Sequence, residues 1–288
     1  MRKIVVVLSA FIAVLTLSCQ KDTITQTNSN PFDTETKSTV TEAMTTNNID
    51  GAVIADVDLY TGGFDAGLFN LKSAQISACP KFSFTMTNGG FPIRMVLDYG
   101  DSCSFGGHFV RTGKMIIETS GPCSSDTTTR TITFVNFSMN KMKLDGKIVF
   151  TNEGRLSGLP KTSYLDSIKI SYPDGKWVLN QSLRVRQWTK GFDTLRDRSD
   201  DEFTISGSSS MSNSEGKSYS KTITTPLLMK GGCDFIVSGV IQIIKNGATP
   251  IIIDYGDGTC DSKATVTKDG VTKEIDLWGV FTEDSTKK

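Results

Sequence analysis

From residue 79 onward, apolar and polar residues alternate in short runs that are separated by turn dipeptides. In the run from 168 to 172, two isoleucines and a tyrosine alternate with lysine and serine, so one face is apolar and the other polar. A period of two is typical of a half-buried β-strand. We therefore predict a mainly β protein, a long antiparallel meander of about a dozen strands in a large twisted sheet, sandwich or half-barrel.

The turns between these runs are predicted from five Asn-Gly or Asp-Gly dipeptides. Both dipeptides tolerate the positive φ angles of a type I′ turn, whose twist matches the flanking strands. The dipeptides are Asn88-Gly89, Asp145-Gly146, Asp174-Gly175, Asn246-Gly247 and Asp269-Gly270. The alternation also slips by one residue near Val135-Asn136, which predicts a β-bulge.

One helix is predicted ahead of the strands, from Asp33 to Asn48. Asp33 or Thr34 is suited to cap its first turn, whereas its threonines disfavour a helix because β-branched side chains lose rotamer freedom there. We assign 33-78 to this N-terminal helix and a lead-in, and 79-288 to the β domain.

The first 18 residues have the pattern of a cleaved secretory leader. Arg2 and Lys3 precede an apolar run from Ile4 to Leu17. As a helix this run spans roughly 21 Å, less than the ~30 Å hydrocarbon core of a bilayer. Residues 1-18 are therefore predicted to be a signal peptide.

The leader ends at Thr16-Leu17-Ser18-Cys19, which resembles the bacterial lipoprotein cleavage box. The resemblance implies that Cys19 is acylated and begins the mature chain, so the lipid bilayer becomes a partner. Gln20-Lys21-Asp22 resembles the export tag of surface lipoproteins in the Bacteroidota. Residues 19-32 are then the lipidated cysteine and a flexible tether. An ordinary leader with an incidental cysteine is the alternative.

Charge and histidine content exclude several functions. The 288 residues contain 31 Lys+Arg and 31 Asp+Glu, a formal net charge of zero. Without a basic excess to neutralise phosphates, we expect no nucleic-acid binding. His108 is the only histidine, and there is no Cys-x-x-Cys, so a zinc site is disfavoured. No cofactor is predicted apart from calcium, considered below.

An internal duplication relates residues 79-103 to residues 233-260. Each copy contains a cysteine, a strand, an Asn-Gly turn, a second strand, an Asp-Tyr-Gly-Asp sequence and a closing cysteine. The order is too long to arise easily by chance, so we predict two related hairpin units.

The duplication also pairs Cys79 with Cys103 and Cys233 with Cys260. Disulfides are compatible with an extracytoplasmic location, and each is expected to stabilise the fold by roughly 3 kcal/mol. In the alternative, all four cysteines stay reduced and pack as small apolar residues. Cys123 is left either as a free thiol or as a competitor for Cys103.

A family resemblance extends over about Cys79 to Leu277. The sequences Arg111-Thr112-Gly113-Lys114 and Trp188-Thr189-Lys190-Gly191, with the segments 203–207, 233–239 and 254–261, resemble an uncharacterised family of Bacteroidota lipoproteins. The resemblance implies an outer-membrane, lipid-anchored location, with display at the cell surface. It implies no activity and no site residues, and Cys123 lies outside the family pattern.

A calcium site is one candidate for bound chemistry. Asp254, Asp257 and Asp261 surround two glycines in an acidic turn, and calcium requires six to eight oxygen ligands. The spacing does not follow the EF-hand pattern, and a tight turn between strands explains the same residues.

A ligand platform is a second candidate. Arg184 and Arg186 share a strand face with Trp188, so a cation–π strip is expected there. Solvation of an exposed strand explains the arginines equally well.

Catalysis is not predicted from this sequence. Acids three residues apart, Asp98/Asp101 and Asp254/Asp257, more often share a turn than face each other across a substrate cleft. His108 has no recognisable nucleophile motif beside it, so we predict no catalytic residues.

The predicted protein is a membrane-anchored, surface-exposed lipoprotein with a passive binding or structural β domain, whose partner is an unidentified extracellular ligand or protein. The alternatives are a half-barrel carrier of an apolar ligand and a carbohydrate-active enzyme. An apolar cavity between helix and sheet distinguishes the carrier, and acids converging in a cleft distinguish the enzyme.

Overall fold

The computed structural model describes residues 31–65, 79–104, 109–122, 124–194, 197–245 and 247–277. Within these ranges, one helix, α1, precedes a run of antiparallel strands. The predicted signal peptide, Cys19 and most of the tether lie outside the described residues, as do His108, Cys123 and residues 66–78 of the predicted lead-in.

Thirteen strands form one sheet in which each strand pairs with its neighbours in the sequence. They are β1 (Lys81–Thr87), β2 (Gly90–Ser104), β3 (Val110–Thr119), β4 (Thr129–Met139), β5 (Met142–Leu156), β6 (Leu159–Ser171), β7 (Trp177–Lys190), β8 (Glu202–Asn213), β9 (Ser218–Lys230), β10 (Ser238–Lys245), β11 (Ile251–Asp257), β12 (Lys263–Lys268) and β13 (Val271–Asp276). The predicted antiparallel meander is confirmed. The described strands belong to one open sheet, so the sandwich is excluded.

Most of the predicted turns join consecutive strands. Asn88-Gly89, Asp174-Gly175 and Asp269-Gly270 do so, and Gly247 lies between β10 and β11, although Asn246 is outside the described residues. The prediction for Asp145-Gly146 is wrong, because this dipeptide lies inside β5.

The chain instead turns at Asn140 and Lys141, whose φ angles of 48° and 66° are those of a type I′ turn. Gly146 is required within β5 because a Cβ there would collide with the backbone of Ser167 on β6. The predicted bulge is confirmed, since the β4–β5 register shifts between Thr133 and Ser138 and Asn136 has a φ of 48°.

Helix α1 runs from Thr34 to Asp65, 17 residues beyond its predicted end at Asn48. It begins where predicted, since the Asp33 carboxylate accepts a hydrogen bond of 2.7 Å from the Thr36 amide. Ala43 to Asn47 are five consecutive buried residues, and five residues exceed the 3.6 of one helical turn. The helix is therefore buried around its circumference here, so it has no single apolar stripe to predict it.

The sheet curves around this helix. Tyr60 near one helix end stacks on Phe82 of β1 with ring centroids 5.3 Å apart, and Phe32 just before the other end lies 4.7 Å below the Lys273 ammonium of β13. Inward-facing residues of β5 are buried from Met142 to Phe150, a length of about 26 Å against a helix diameter of about 10 Å. A flat sheet would leave much of that face uncovered, so the sheet forms an open half-barrel around α1.

Candidate functional site

The two related hairpins carry the predicted cysteine pairs. Cys79 is joined to Cys103 and Cys233 to Cys260, with Cα atoms 5.7 Å apart in each pair, a separation that suits a disulfide. The first pair brackets β1 and β2, and the second brackets β10 and β11.

The tyrosine of each Asp-Tyr-Gly-Asp sequence forms a hydrogen bond with a side chain of helix α1. The Tyr99 hydroxyl donates a hydrogen bond of 2.8 Å to the Asp56 carboxylate. The Tyr255 hydroxyl accepts one of 3.1 Å from the Asn47 amide. Because side chains alternate across a strand, the acid before each tyrosine points outward while the tyrosine points to the helix. The repeated motif therefore positions α1 from two distant strands.

Buried acids of the helix meet arginines of the sheet. Asp50 and Arg184 of β7 are 3.1 Å apart between Oδ2 and Nη1, with side chains 6% and 4% exposed. Asp56 holds Arg111 of β3 through two contacts, Nε–Oδ2 at 2.7 Å and Nη2–Oδ1 at 3.1 Å. Burial raises the pKa of Asp56, and Arg111 and Tyr99 oppose that rise. These pairs fix the helix in register against two strands.

Asp58 is the third helix acid of this kind. Its carboxylate contacts Arg186 of β7 and lies 3.7 Å from Arg130 of β4, and Arg198 donates to its backbone carbonyl. Burial works to raise the pKa of Asp58, but the three positive charges outweigh it and hold the pKa below its usual range. The carboxylate is therefore ionised in the folded protein.

A polar cluster extends the Asp50–Arg184 pair across the concave face. Asn47 accepts hydrogen bonds from Arg184 at 3.1 Å and from Lys221 of β9 at 2.8 Å. Lys221 also donates to Thr46 at 2.9 Å. Beside them, Asp166 of β6 accepts hydrogen bonds from Asn180, at 2.7 Å, and from Ser182, both on β7. The concave face thus holds charged groups where an apolar carrier would present hydrocarbon.

The titration of this cluster is dominated by its burial. Desolvation, and then the charge of Asp166, raise the pKa of Asp50, whereas Arg184 and Lys221 lower it. Desolvation and Arg184 lower the pKa of Lys221. Burial and the nearby like charges thus work against ionisation of both groups, whereas the opposite charges beside them favour it.

The predicted ligand platform is not an exposed surface. Arg184, Arg186 and Trp188 do share one strand face, but that face is turned toward the helix, where Arg184 is buried. The cation–π contact involves Phe203 rather than Trp188: the Arg186 guanidinium carbon lies 3.4 Å from the Phe203 ring centroid. Trp188 stacks on Phe203 at 5.4 Å and donates to Asp201 at 3.1 Å. The alternation along the strand correctly placed these residues on one face, but it could not show that the helix covers this face.

The aspartates proposed for calcium are occupied by local hydrogen bonds. Asp254 accepts from the Gly256 amide at 2.9 Å, Asp257 from the Thr259 amide at 3.0 Å, and Asp261 from the Lys263 amide at 3.0 Å. No group of three or more His, Cys, Asp or Glu side chains in the described ranges is arranged to hold a metal. The acidic segment is therefore a series of Asx-type turns.

The acids considered for catalysis take part in surface ion pairs and turns. Asp98 accepts from the Gly100 amide at 3.0 Å and pairs with Lys114 of β3 at 2.8 Å. Asp254 and Asp257 line an open surface pocket together with Asp261 and Glu274, but their carboxylates accept hydrogen bonds within the turns just described.

One cavity of about 240 Å³ lies between the helix and the concave face, and we call it the helix-side cavity. The helix contributes small residues to its wall, and the β9–β10 connection and the sheet supply the rest. Its lining includes Asn48, Asp50, Gly51, Ala52, Ile54, Ala55, Asp56, Phe109, Arg111, Tyr164, Arg184, Ile205, Leu227, Met229, Cys233, Asp234, Phe235 and Ile236. The wall is thus a mixture of aliphatic, aromatic and charged groups.

Comparison with known proteins gives no match: no family model fits the chain, and no curated protein or solved structure is significantly similar to it. Among the described helical residues, none forms a stretch long and apolar enough to cross a membrane. The class that the fold and the site define is an open antiparallel half-barrel filled by one charge-paired helix.

Proposed function

We propose that this chain is a lipid-anchored outer-membrane protein, displayed at the cell surface, whose half-barrel is a binding or structural domain. The leader, the Leu17-Ser18-Cys19 sequence and the following Lys-Asp support acylation of Cys19 and export. The resemblance to Bacteroidota lipoproteins supports the same location.

The observation that carries the assignment of the domain is that helix α1 fills the concave face. An apolar-ligand carrier needs an apolar lumen, but here Asp50, Arg184 and Lys221 occupy the centre of that face and bind the helix. Extracting the helix to admit an acyl chain would strand several buried charges. The helix is therefore a permanent part of the fold.

The anchor is tested in intact cells with labelled palmitate, comparing the wild type with Cys19→Ala. The wild type is expected to incorporate label and the variant to lose it. A wild type that incorporates no label contradicts the anchor.

Surface display is tested by adding protease to the same intact cells. Degradation of the labelled protein is expected, with a periplasmic protein as the protected control. A labelled protein that resists digestion until the cells are opened contradicts display at the surface.

A further inference from the structure

The connection between β9 and β10 forms one wall of the helix-side cavity. It spans residues 231–237, contains no strand or helix residues, and we call it the strap. Four strap residues line the cavity: Cys233, Asp234, Phe235 and Ile236. Phe235 and Ile236 are 7% and 8% exposed and pack in the same hydrophobic core as the helix. This part of the wall therefore rests on side-chain packing rather than on a strand ladder.

Backbone hydrogen bonds fix both ends of the strap. The Gly231 amide donates to the Asp201 carbonyl at 2.6 Å, and the Val237 amide donates to the Leu228 carbonyl at 2.9 Å. Gly232 follows the first of these with a φ of 77°, a conformation that glycine adopts without strain. Residues 233–236 can therefore move between two fixed ends without breaking the ladder of β9 and β10.

A disulfide restricts that movement. Cys233 is joined to Cys260, which lies in the connection between β11 and β12. The two cysteines are 27 residues apart in the sequence, and a cross-link over such a loop limits the conformations that the linked segments can reach. Phe235 is only two residues from Cys233, about 7 Å of extended chain. The bond therefore limits how far the Phe235 ring can leave the helix.

This disulfide is more accessible than its counterpart in the first hairpin. Cys79 and Cys233 are both half-buried, but Cys260 is exposed whereas Cys103 is 1% exposed. Cys103 also belongs to strand β2, whose ladder holds it in place. Thiol–disulfide exchange requires a thiolate to reach one of the two sulfurs. Of the four paired cysteines, only Cys260 offers an exposed site for such an attack.

We propose that the Cys233–Cys260 disulfide is a reducible latch that holds the strap against the helix. The thiolate of a small dithiol attacks the Cys260 sulfur, and the Cys233 sulfur leaves as a thiolate that takes up a proton. The second thiol of the reagent then displaces the Cys260 sulfur, so the dithiol becomes a cyclic disulfide and both cysteines are reduced. Residues 233–236 are then held by their packing alone, and the cavity opens on this side. The latch goes beyond the function proposed above and does not depend on the lipid anchor.

The test uses the full chain with Cys123→Ser in every sample, so that this cysteine cannot exchange with the disulfides. The chain is incubated with dithiothreitol under native conditions, and the thiols released over time are alkylated and mapped by mass spectrometry. We expect Cys233 and Cys260 to be released at least about tenfold faster than Cys79 and Cys103, because a thiolate reaches an exposed sulfur more readily.

Hydrogen exchange shows where reduction acts. The amides of residues 234–236 are expected to exchange at least about tenfold faster after reduction of Cys233–Cys260, whereas those of helix α1 keep their rates. Cys233→Ser/Cys260→Ser should show the same fast exchange without any reductant. Cys79→Ser/Cys103→Ser is the matched control and should leave the exchange of the strap unchanged.

Three results would overturn the proposal, and the reduced wild type provides each of them even if a serine variant does not fold. The first is that Cys79–Cys103 is reduced as fast as Cys233–Cys260 or faster. The second is that reduction leaves the exchange of the strap unchanged, which would mean that packing alone holds it. The third is that exchange in the helix rises as much as in the strap, because the disulfide would then support the whole fold.

Discussion

Tyr99 on β2 donates a hydrogen bond of 2.8 Å to Asp56 on the helix, and both side chains are buried. The same carboxylate also receives two nitrogens of Arg111. A buried charge of this kind is tolerated only when its oxygens are satisfied. The hairpin that carries Tyr99 therefore helps to hold the helix inside the half-barrel.

Removal of the Tyr99 hydroxyl should destabilise the protein. Tyr99→Phe loses a hydrogen bond to a charged acceptor, which is worth about 2 kcal/mol of unfolding free energy. Tyr219→Phe is the matched control, because the buried Tyr219 hydroxyl has no hydrogen-bond partner among the described residues, and we expect it to be neutral or slightly stabilising. Urea unfolding of both variants measures the difference. Equal losses in the two would contradict this account.

Loss of Arg184 alone should lower the unfolding free energy more than replacement of both Asp50 and Arg184 by apolar residues. Arg184→Met leaves Asp50 buried without its main counter-charge and is expected to lower the unfolding free energy by about 3–5 kcal/mol. The double variant Asp50→Leu/Arg184→Met removes both charges and should recover at least about 1 kcal/mol of that loss. Urea unfolding provides both values.

The control for this cycle is Arg94→Met. Arg94 pairs with Glu118 at 3.5 Å, and the two side chains are 48% and 60% exposed. An exposed pair of this kind contributes at most about 1 kcal/mol. A double variant less stable than Arg184→Met alone would show that Asp50 does not depend on Arg184.

The unfolding free energy should depend on the titration of Asp201. Burial raises the pKa of Asp201 to about 6, although Arg198 and the hydrogen bond from Trp188 oppose the rise. Between pH of about 4 and about 6 the folded state keeps a proton that the unfolded state has lost, so this contribution to stability falls as the pH rises. The wild-type stability minus that of Asp201→Asn should therefore decrease from pH 4 to pH 6.5.

For Asp98→Asn we expect the stability difference from the wild type to change with pH in the opposite direction. Hydrogen bonds from Lys114 and the Gly100 amide lower the pKa of Asp98. Its contribution is present at neutral pH and is lost as the pH falls through the lowered pKa. Chemical unfolding over pH 3–7 measures both differences, and slopes of the same sign in the two variants would refute the assignment for Asp201.

Local patterns in the sequence predicted much of the fold. Period-two alternation predicted the strands, and dipeptides such as Asn88-Gly89 predicted hairpin turns, because both depend on neighbouring residues alone. The prediction of a turn at Asp145-Gly146 was wrong because the sequence signal is ambiguous. Its glycine is needed where β5 passes close to Ser167 of β6. A glycine that permits a turn and one that permits close packing have the same sequence signal.

The length of the helix was not predictable from such patterns. Residues beyond Asn48 include Asp50, Asp56 and Asp58, which read as a solvated segment when they are considered alone. In the folded chain each contacts an arginine from a distant strand; Asp50 and Asp56 are buried there, and Asp58 is 16% exposed. A helix that is buried around its circumference, as α1 is from Ala43 to Asn47, has no amphipathic period to detect there.

The residues of the candidate site could also be predicted only in part from the sequence. The duplication singled out the sequence around Tyr99 and Tyr255, yet only their contacts with the helix show what the repeat does. Arg184 and Arg186 were correctly placed on one face, but the prediction of an exposed platform required that face to be open.

The sequence alone determined the strand meander, most of its turns, the pairing of the four cysteines in two hairpins and the start of the helix at Asp33, since each depends on residues close in the chain or on a repeated order. Only the tertiary structure decided that the sheet curves around the helix, that Asp50 and Asp56 are buried and that a small cavity of mixed lining remains beside the helix. Those features depend on which distant side chains meet and on the water that they exclude, and neither is recorded in local periodicity.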